Sequence, residues 1–313
     1  MLRKTLRSNA VALLFLAVLL LPGLASAQVA PVVDVNWALE HQDEVTFIHV
    51  SRRVSNYENT GFIPGVSFVS MGEYLTERPG QSGAIRYLAP SSEQFESLMQ
   101  SHGIHNEDTL VLVPAGNAVY NDATAASRLY WQLKYFGHDA VAILNGGVAA
   151  WTAAGGEVTD TPALASGGGS YEVAEIRDAL LATTAEVEAV VAGDQTAQLV
   201  DNRPLAHFSG LAGRDYVAGR GHLAGAKPLP FNLFVKSSDG VVYWRNADEV
   251  QRYVSAMLPG NQDRIIDYCN SGHVSSLAWF AMSEIGGLEN VALYDGSLHE
   301  WTLDGGRPLV IGR

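Results

Sequence analysis

Asp263-Arg264-Ile265-Ile266-Asp267-Tyr268-Cys269-Asn270-Ser271-Gly272-His273-Val274-Ser275 is a short apolar run that breaks into a polar, glycine-containing loop. Asp263 to Tyr268 has the length and the isoleucine content of a buried strand. From Ser275 to Ile285 the apolar residues Leu277, Ala278, Phe280, Ala281 and Ile285 recur at helical spacing. Val291 to Tyr294 reads as a further strand and Gln198 to Asp201 as another, entering a loop. Thr183-x-x-Glu186 ahead of Val187 and Val190 has the form of a capping box that opens a helix. Strand–helix–strand alternation specifies a parallel sheet flanked by helices on both faces, so the fold class is α/β.

Working outward, the pattern occurs twice. Gly61-Phe62-Ile63-Pro64-Gly65 corresponds to Gly221-His222-Leu223-Ala224-Gly225. Phe136-Gly137-His138-Asp139-Ala140-Val141, leading through Gly146 to Trp151, corresponds to Gly287-Leu288-Glu289-Asn290-Val291, leading through Gly296 to Trp301. A unit this long is a duplicated domain and not a solenoid repeat. Thr159 to Ser170, rich in Gly, Pro, Ser and Thr, reads as the linker. Trp151 and Trp301, at equivalent places, are expected to pack in the two cores.

The first 27 residues read as an export segment. Arg3, Lys4 and Arg7 precede an apolar run from Ala10 to Leu21, Pro22-Gly23 ends it, and Ala25-Ser26-Ala27 is a small-x-small cleavage site. The run is about a dozen residues, short of the ~20 that span a bilayer as a helix. Cleavage before Gln28 would give a periplasmic or secreted chain with no stable membrane association. It would leave 17 basic and 33 acidic residues, a net charge near −16 against −13 for the full chain. So acidic a protein is a poor partner for nucleic acid, and any anionic substrate must be attracted locally. An apolar content of 47% is ample for packed cores.

Cys269 is the chain's one cysteine. A lone thiol in an exported protein is either a reactive group or a small buried hydrophobe. Here it stands between the C-terminal end of a strand and the start of a helix, where open α/β sheets bind ligands. Backbone N–H groups of residues 270 to 274 can converge there as an anion nest, and the helix dipole adds positive potential. Both favour thiolate over thiol, and Gly272 allows the tight path such a cradle needs.

Four segments of the second half carry a family resemblance. Leu199-Val200-Asp201-Asn202-Arg203 is similar to LVDxR, and Gly221-His222-Leu223-Ala224-Gly225-Ala226 to GHxxGA. The loop Cys269-Asn270-Ser271-Gly272-His273-Val274 follows, then Tyr294-Asp295-Gly296-Ser297 with Glu300-Trp301, similar to YDGSxxEW. In this order they resemble the catalytic half of a tandem-domain rhodanese. The resemblance implies two rhodanese-like domains, a non-catalytic one over 28–160 and a catalytic one over 183–313, joined by a linker and lead-in over 161–182. It implies a sulfurtransferase that moves sulfane sulfur from thiosulfate to cyanide or a thiol through a persulfide on Cys269. It implies no cofactor or metal, and partners that are a small anionic donor, a thiophilic acceptor and a sulfur-acceptor protein. A 3-mercaptopyruvate sulfurtransferase and a persulfide carrier with little turnover are the alternatives.

By the same resemblance, residues 270–274 bind the persulfide, Arg203 binds substrate anion or braces Asp201, and Asp201 and His222 support the structure. Arg214 is a second candidate for the substrate. Thiosulfate-preferring members carry basic residues right after the cysteine, whereas Asn270 and Ser271 stand here, and Ser271 is closer to the mercaptopyruvate type. His273 either titrates near neutral pH or caps the following helix. A cysteine phosphatase would need Arg where Ser275 stands, so a dianionic phosphate lacks its bidentate partner. Aligning Asp108-Thr109-Leu110-Val111-Leu112-Val113 with the strand before Cys269 puts Pro114 or Ala115 opposite the thiol, so the first half cannot carry sulfur. Ile48-His49-Val50-Ser51-Arg52 is its degraded LVDxR. His102 and His105 read as exposed loop histidines, not metal ligands.

Overall fold

The computed structural model describes residues 29–80, 82–260, 263–303 and 305–312. The predicted export segment, residues 1–27, lies outside them. The first half runs β1 (Val32–Val33), α1 (Val35–Glu40), β2 (Thr46–Ser51), β3 (Phe68–Ser70), β4 (Thr76–Gly80), β5 (Gly83–Leu88), α2 (Ser92–Ser101), β6 (Leu110–Val113), α3 (Thr124–Tyr135), β7 (Val141–Leu144) and α4 (Gly147–Ala153). The second runs α5 (Thr184–Ala192), β8 (Gln198–Asp201), α6 (Leu205–Phe208), β9 (Lys227–Pro228), β10 (Val235–Ser238), β11 (Val241–Trp244), α7 (Ala247–Met257), β12 (Ile265–Tyr268), α8 (His273–Phe280), β13 (Val291–Leu293) and α9 (Ser297–Leu303). Each half has a parallel sheet, ordered β1-β7-β6-β2-β3 and β13-β12-β8-β9, and one antiparallel hairpin, β4-β5 or β10-β11. No helix of the described residues is long and apolar enough to cross a membrane.

Strand alternation divides the core into three apolar clusters. In β6, Leu110 and Leu112 face a middle cluster while Val111 and Val113 face one built from the first half and closed by Val241 of β11. In β12, Ile265 joins the same middle cluster, and Ile266 and Tyr268 face one private to the second half. The middle cluster belongs to both halves. Within it α3 and α8 meet, with Tyr130 edge-on to Phe280 at 4.6 Å. All eight residues of α8, and all of α3 but Tyr135, are buried.

The repeat holds down to single hydrogen bonds. After β6, the carbonyls of Pro114 and Ala115 accept from Val148 and Ala149; after β12, those of Cys269 and Asn270 accept from Leu298 and His299. Phe62 and Thr159 exchange backbone hydrogen bonds as His222 and Val310 do. The hairpins are exchanged as well. Following β5, Ala89 N–H donates to Asp295 of the second half, and in β11 Trp244 N–H donates to Asn145 of the first.

Several local expectations shift. The helix after the cysteine starts at His273, two residues early, because Gly272 turns the chain at φ 71°; beyond Phe280 it widens into a π turn over Ala281–Ile285. Thr183 does cap α5 by accepting from Glu186 N–H, but the Glu186 carboxylate pairs with Arg264 and does not close the box. His102 and His105 are half-buried, bonded to Ser67 and Ser170. Trp151 and Trp301 are buried as expected.

His49, in β2, is fully buried against Tyr57 and Phe62, and its Nε2 accepts from Ile63 N–H, so the ring is neutral. Burial holds it down from 6.5 to about 4. Unfolding therefore takes up a proton below pH 6.5. The stability it confers is complete above 6.5 and falls by about 3 kcal/mol as pH drops to 4. Urea unfolding of His49→Gln, compared with wild type between pH 7 and 4, should lack that part of the slope; identical slopes would refute the assignment.

Candidate active site

Cys269 follows β12 directly, is 2% exposed, and forms the floor of a cavity of about 90 Å³. Tyr120, His207, Arg214, Tyr216, Phe231 and His273 are among its walls, so both halves enclose it. Ser275 Oγ donates towards the sulfur at 3.4 Å. The loop is fixed from beneath by Ser297, which holds a φ of 50° at the start of α9. Its hydroxyl accepts from Cys269 N–H at 3.1 Å and Gly272 N–H at 3.0 Å and donates to Tyr294 O. Gly272 thus leaves the expected cradle of N–H groups over 270–274, since its own N–H is engaged by Ser297. Only glycine fits there: a Cβ would lie 2.5 Å from Asp295 Oδ1 and 2.9 Å from an Arg128 nitrogen.

Of the two arginine candidates, Arg203 is buried with its Nε and one terminal nitrogen on the Asp201 carboxylate, and that nitrogen also donates to Gly221 O. It braces the loop after β8 and is absent from the cavity wall; the substrate-binding reading of Arg203 is corrected on this ground. His222 stacks on Phe208 at 3.7 Å and contacts its carbonyl. Arg214 does line the cavity. Its guanidinium lies 5.5 Å from the Tyr120 ring centroid, and Arg52 of the first half lies 5.4 Å from the same ring. The positive charge missing from the cysteine loop is supplied by these two distant segments. Ser271 Oγ meets Tyr216 OH at 3.4 Å, and Asn270 and Val274 complete the wall.

Neither reading of His273 stands. It is the first residue of α8, with Gly272 at the cap. Burial lowers it from 6.5 to about 3, against the Tyr120 hydrogen bond, and Arg52, Arg128 and Arg214 add to the effect. Its Nε2 reaches Tyr120 O at 3.2 Å and Thr124 Oγ1 at 2.7 Å; a carbonyl only accepts, so Nε2 carries the proton. The imidazole is a neutral tie between the halves. Tyr120 O is available for it because the chain makes a π turn over Val119–Ala123 just before α3.

The first half also supplies Arg128. From the middle of α3 it pairs with Asp295 at 2.5 Å and donates to Gly272 O and Tyr87 O. Sequence reasoning missed Arg128, Tyr120, Thr124 and Arg52. The available signal was an arginine between Ala125-Ala126-Ser127 and Leu129-Tyr130-Trp131, a charge inside an otherwise core-like helix. In the first half's own loop, Pro114 stands where Cys269 does, and the N–H groups of Asn117 and Ala118 donate to the Asp122 carboxylate. The place of an anion is filled there by the chain's own side chain. Among the described residues no group of three or more His, Cys, Asp or Glu side chains could hold a metal ion.

Comparison with known proteins bears on the family and the fold. A protein of Haloferax volcanii named as a putative thiosulfate sulfurtransferase is 37% identical over 236 residues, 71% of this chain and 76% of its own. The 3-mercaptopyruvate sulfurtransferase of Escherichia coli is 26% identical over 285 residues, 86% of this chain and 94% of its own. Among solved structures, E. coli SseA superposes with a TM-score of 0.71 at 24% identity, covering 86% of this chain and 99% of that one. The yeast Tum1 protein superposes at 0.73 with 18% identity, covering 90% and 98%. The rhodanese-like domain model matches residues 26–154 and again 183–304, and the chain therefore belongs to the rhodanese-like family, in two copies.

Proposed function

We propose that this sulfurtransferase takes sulfane sulfur from thiosulfate and passes it to cyanide or a thiol through a persulfide on Cys269. One observation carries the reading: the thiol forms the floor of a cavity of about 90 Å³ with the Arg214 guanidinium in its wall. The Cys269 thiolate attacks the outer sulfur of the donor. The sulfur–sulfur bond of thiosulfate breaks, and its electron pair leaves with sulfite. A nucleophilic acceptor then attacks the terminal sulfur of the persulfide, and the electron pair of that bond returns to Cys269. The Ser275 hydroxyl and the loop N–H groups other than Gly272 stabilise the sulfur anion in both steps. Arg214 offsets a donor dianion in a protein whose net charge of −13 repels it at long range. Residues 1–27 support placing this reaction in the periplasm or outside the cell.

Cys269→Ser should release no sulfite from thiosulfate in a single-turnover assay, and retained release would overturn the mechanism. Arg214→Gln should raise KM for thiosulfate roughly 10- to 100-fold with kcat little changed, as loss of a charge-assisted contact predicts. The wild type run on thiosulfate and on 3-mercaptopyruvate decides the donor: turnover on the second compound alone would replace thiosulfate in the reading. Turnover on neither donor, with persulfide still formed on Cys269, would make the protein a carrier. Arg128→Met leaves Asp295 buried without its counter-charge and should cost about 3–5 kcal/mol in urea unfolding; a loss under 1 kcal/mol would show the pair to be incidental.

A further inference from the structure

Asp267 has no part in the chemistry above, yet it is the most anomalous group near it. It lies in β12, two residues before Cys269, and is completely buried. Neither carboxyl oxygen has a hydrogen-bond partner. Strand alternation puts its side chain on the Ile265 face, the face covered by Leu277 and Ala278 of α8. The Cys269 sulfur is turned to that helix too, where Ser275 Oγ donates to it. The register partners of Asp267 are Val200 in β8 and Leu293 in β13, which do not titrate.

The repeat supplies an independent observation. Pro114 follows β6 as Cys269 follows β12, so the counterpart of Asp267 is Leu112, an ordinary core residue. The half with the thiol has a carboxyl beneath it; the half without has a leucine. Packing alone would favour leucine in both.

We propose that Asp267 is a positioning residue for sulfur transfer, a carboxylic acid that keeps its proton beneath the Cys269 thiolate so that the pair carries a single negative charge. This deepens the reading of Cys269 as the sulfur-carrying thiolate and rests on it. The Ser275 hydroxyl is turned to the sulfur and no donor is turned to the carboxyl, so the single negative charge of the pair belongs on the sulfur. Loss of the carboxyl proton as well would place two like charges side by side in an apolar setting. Burial pushes the carboxyl well above the usual carboxylate range, and the charge of Cys269 pushes it further. The other charged or titratable groups around the site are Tyr268 in β12, Asp201 and Arg203 behind the loop, His207, Arg214 and Tyr216 at the cavity, His273 on α8, Asp295 after β13, and Arg52, Tyr120 and Arg128 from the first half. Ionisation of Asp267 would add a second negative charge under the site and repel an anionic donor.

The test combines infrared spectroscopy with single-turnover sulfite release. The wild type at pH 7 should show the C=O stretch of a buried protonated carboxylic acid that is missing from Asp267→Asn. After alkylation of Cys269 with iodoacetamide, that band should disappear at a pH at least one unit lower than in the free-thiol protein. The pH profile of sulfite release from thiosulfate should have an alkaline limb that Asp267→Asn and Asp267→Leu both lose, with at least a threefold gain in relative rate at the alkaline end. Asp267→Leu copies the residue of the other half, so its fold is expected to hold; circular dichroism checks this. No acid band in the wild type, a band indifferent to alkylation, or an alkaline limb kept in both variants would each overturn the proposal. Failure of the underlying thiolate reading shows separately, as sulfite release by Cys269→Ser.

Discussion

The contact between α3 and α8 governs the rest of the molecule. Both helices are buried nearly all round, which a domain on its own could not achieve, so each half completes the core of the other. The contact is also selective. Arg128 is buried on α3 and reaches across to the second half, and it must find a partner or cost free energy comparable to a lost hydrogen bond or more. Arg128 finds Asp295 of the second half. A shift of one helix along the other would leave a guanidinium and a carboxylate unpaired in an apolar setting, at several kcal/mol. The register of the interface is therefore set by charge while its strength comes from apolar area.

That register reaches the sulfur through few atoms. Arg128 touches the carbonyl of Gly272, His273 touches Tyr120 and Thr124, and Ser297 holds the loop from the other side. The cysteine loop is thus fastened at its base by its own half and at its far side by the other. The cationic surroundings are divided likewise, with Arg214 from one half and Arg52 from the other meeting over the single ring of Tyr120. An acidic protein can handle an anion in this way because positive charge is placed locally, with Arg214 in the cavity wall and Arg52 against the Tyr120 ring.

Much of this was legible in the sequence, and the remainder has a common cause. The strand Gln198–Asp201, the strand ending at Tyr268 and the duplication follow from local periodicity, and they appear where that periodicity puts them. The start of α8 was misjudged by two residues because a left-handed glycine turns the chain more sharply than composition shows. Arg203 was ambiguous because one sequence allows a buried brace and a substrate contact; only the positions of Asp201 and Gly221 O decide. Arg52, Tyr120, Thr124 and Arg128 lie well over a hundred residues from Cys269 in sequence, and no spacing rule connects them to it. Their role depends on how two repeats dock, which periodicity within each repeat does not encode.

The exchanged hairpins bear on how such a molecule can diverge. Each half reaches across to the other with equivalent contacts, as two copies of one chain would in a two-fold dimer. In a dimer of identical chains every substitution is made twice, so losing a thiol from one copy removes it from both. Joining the copies in one polypeptide lifts that restriction, and the high local concentration removes any dependence on dilution. One half can then carry Pro114 and the internal anion of Asp122 where the other carries its thiol, and serve as a wall for the other.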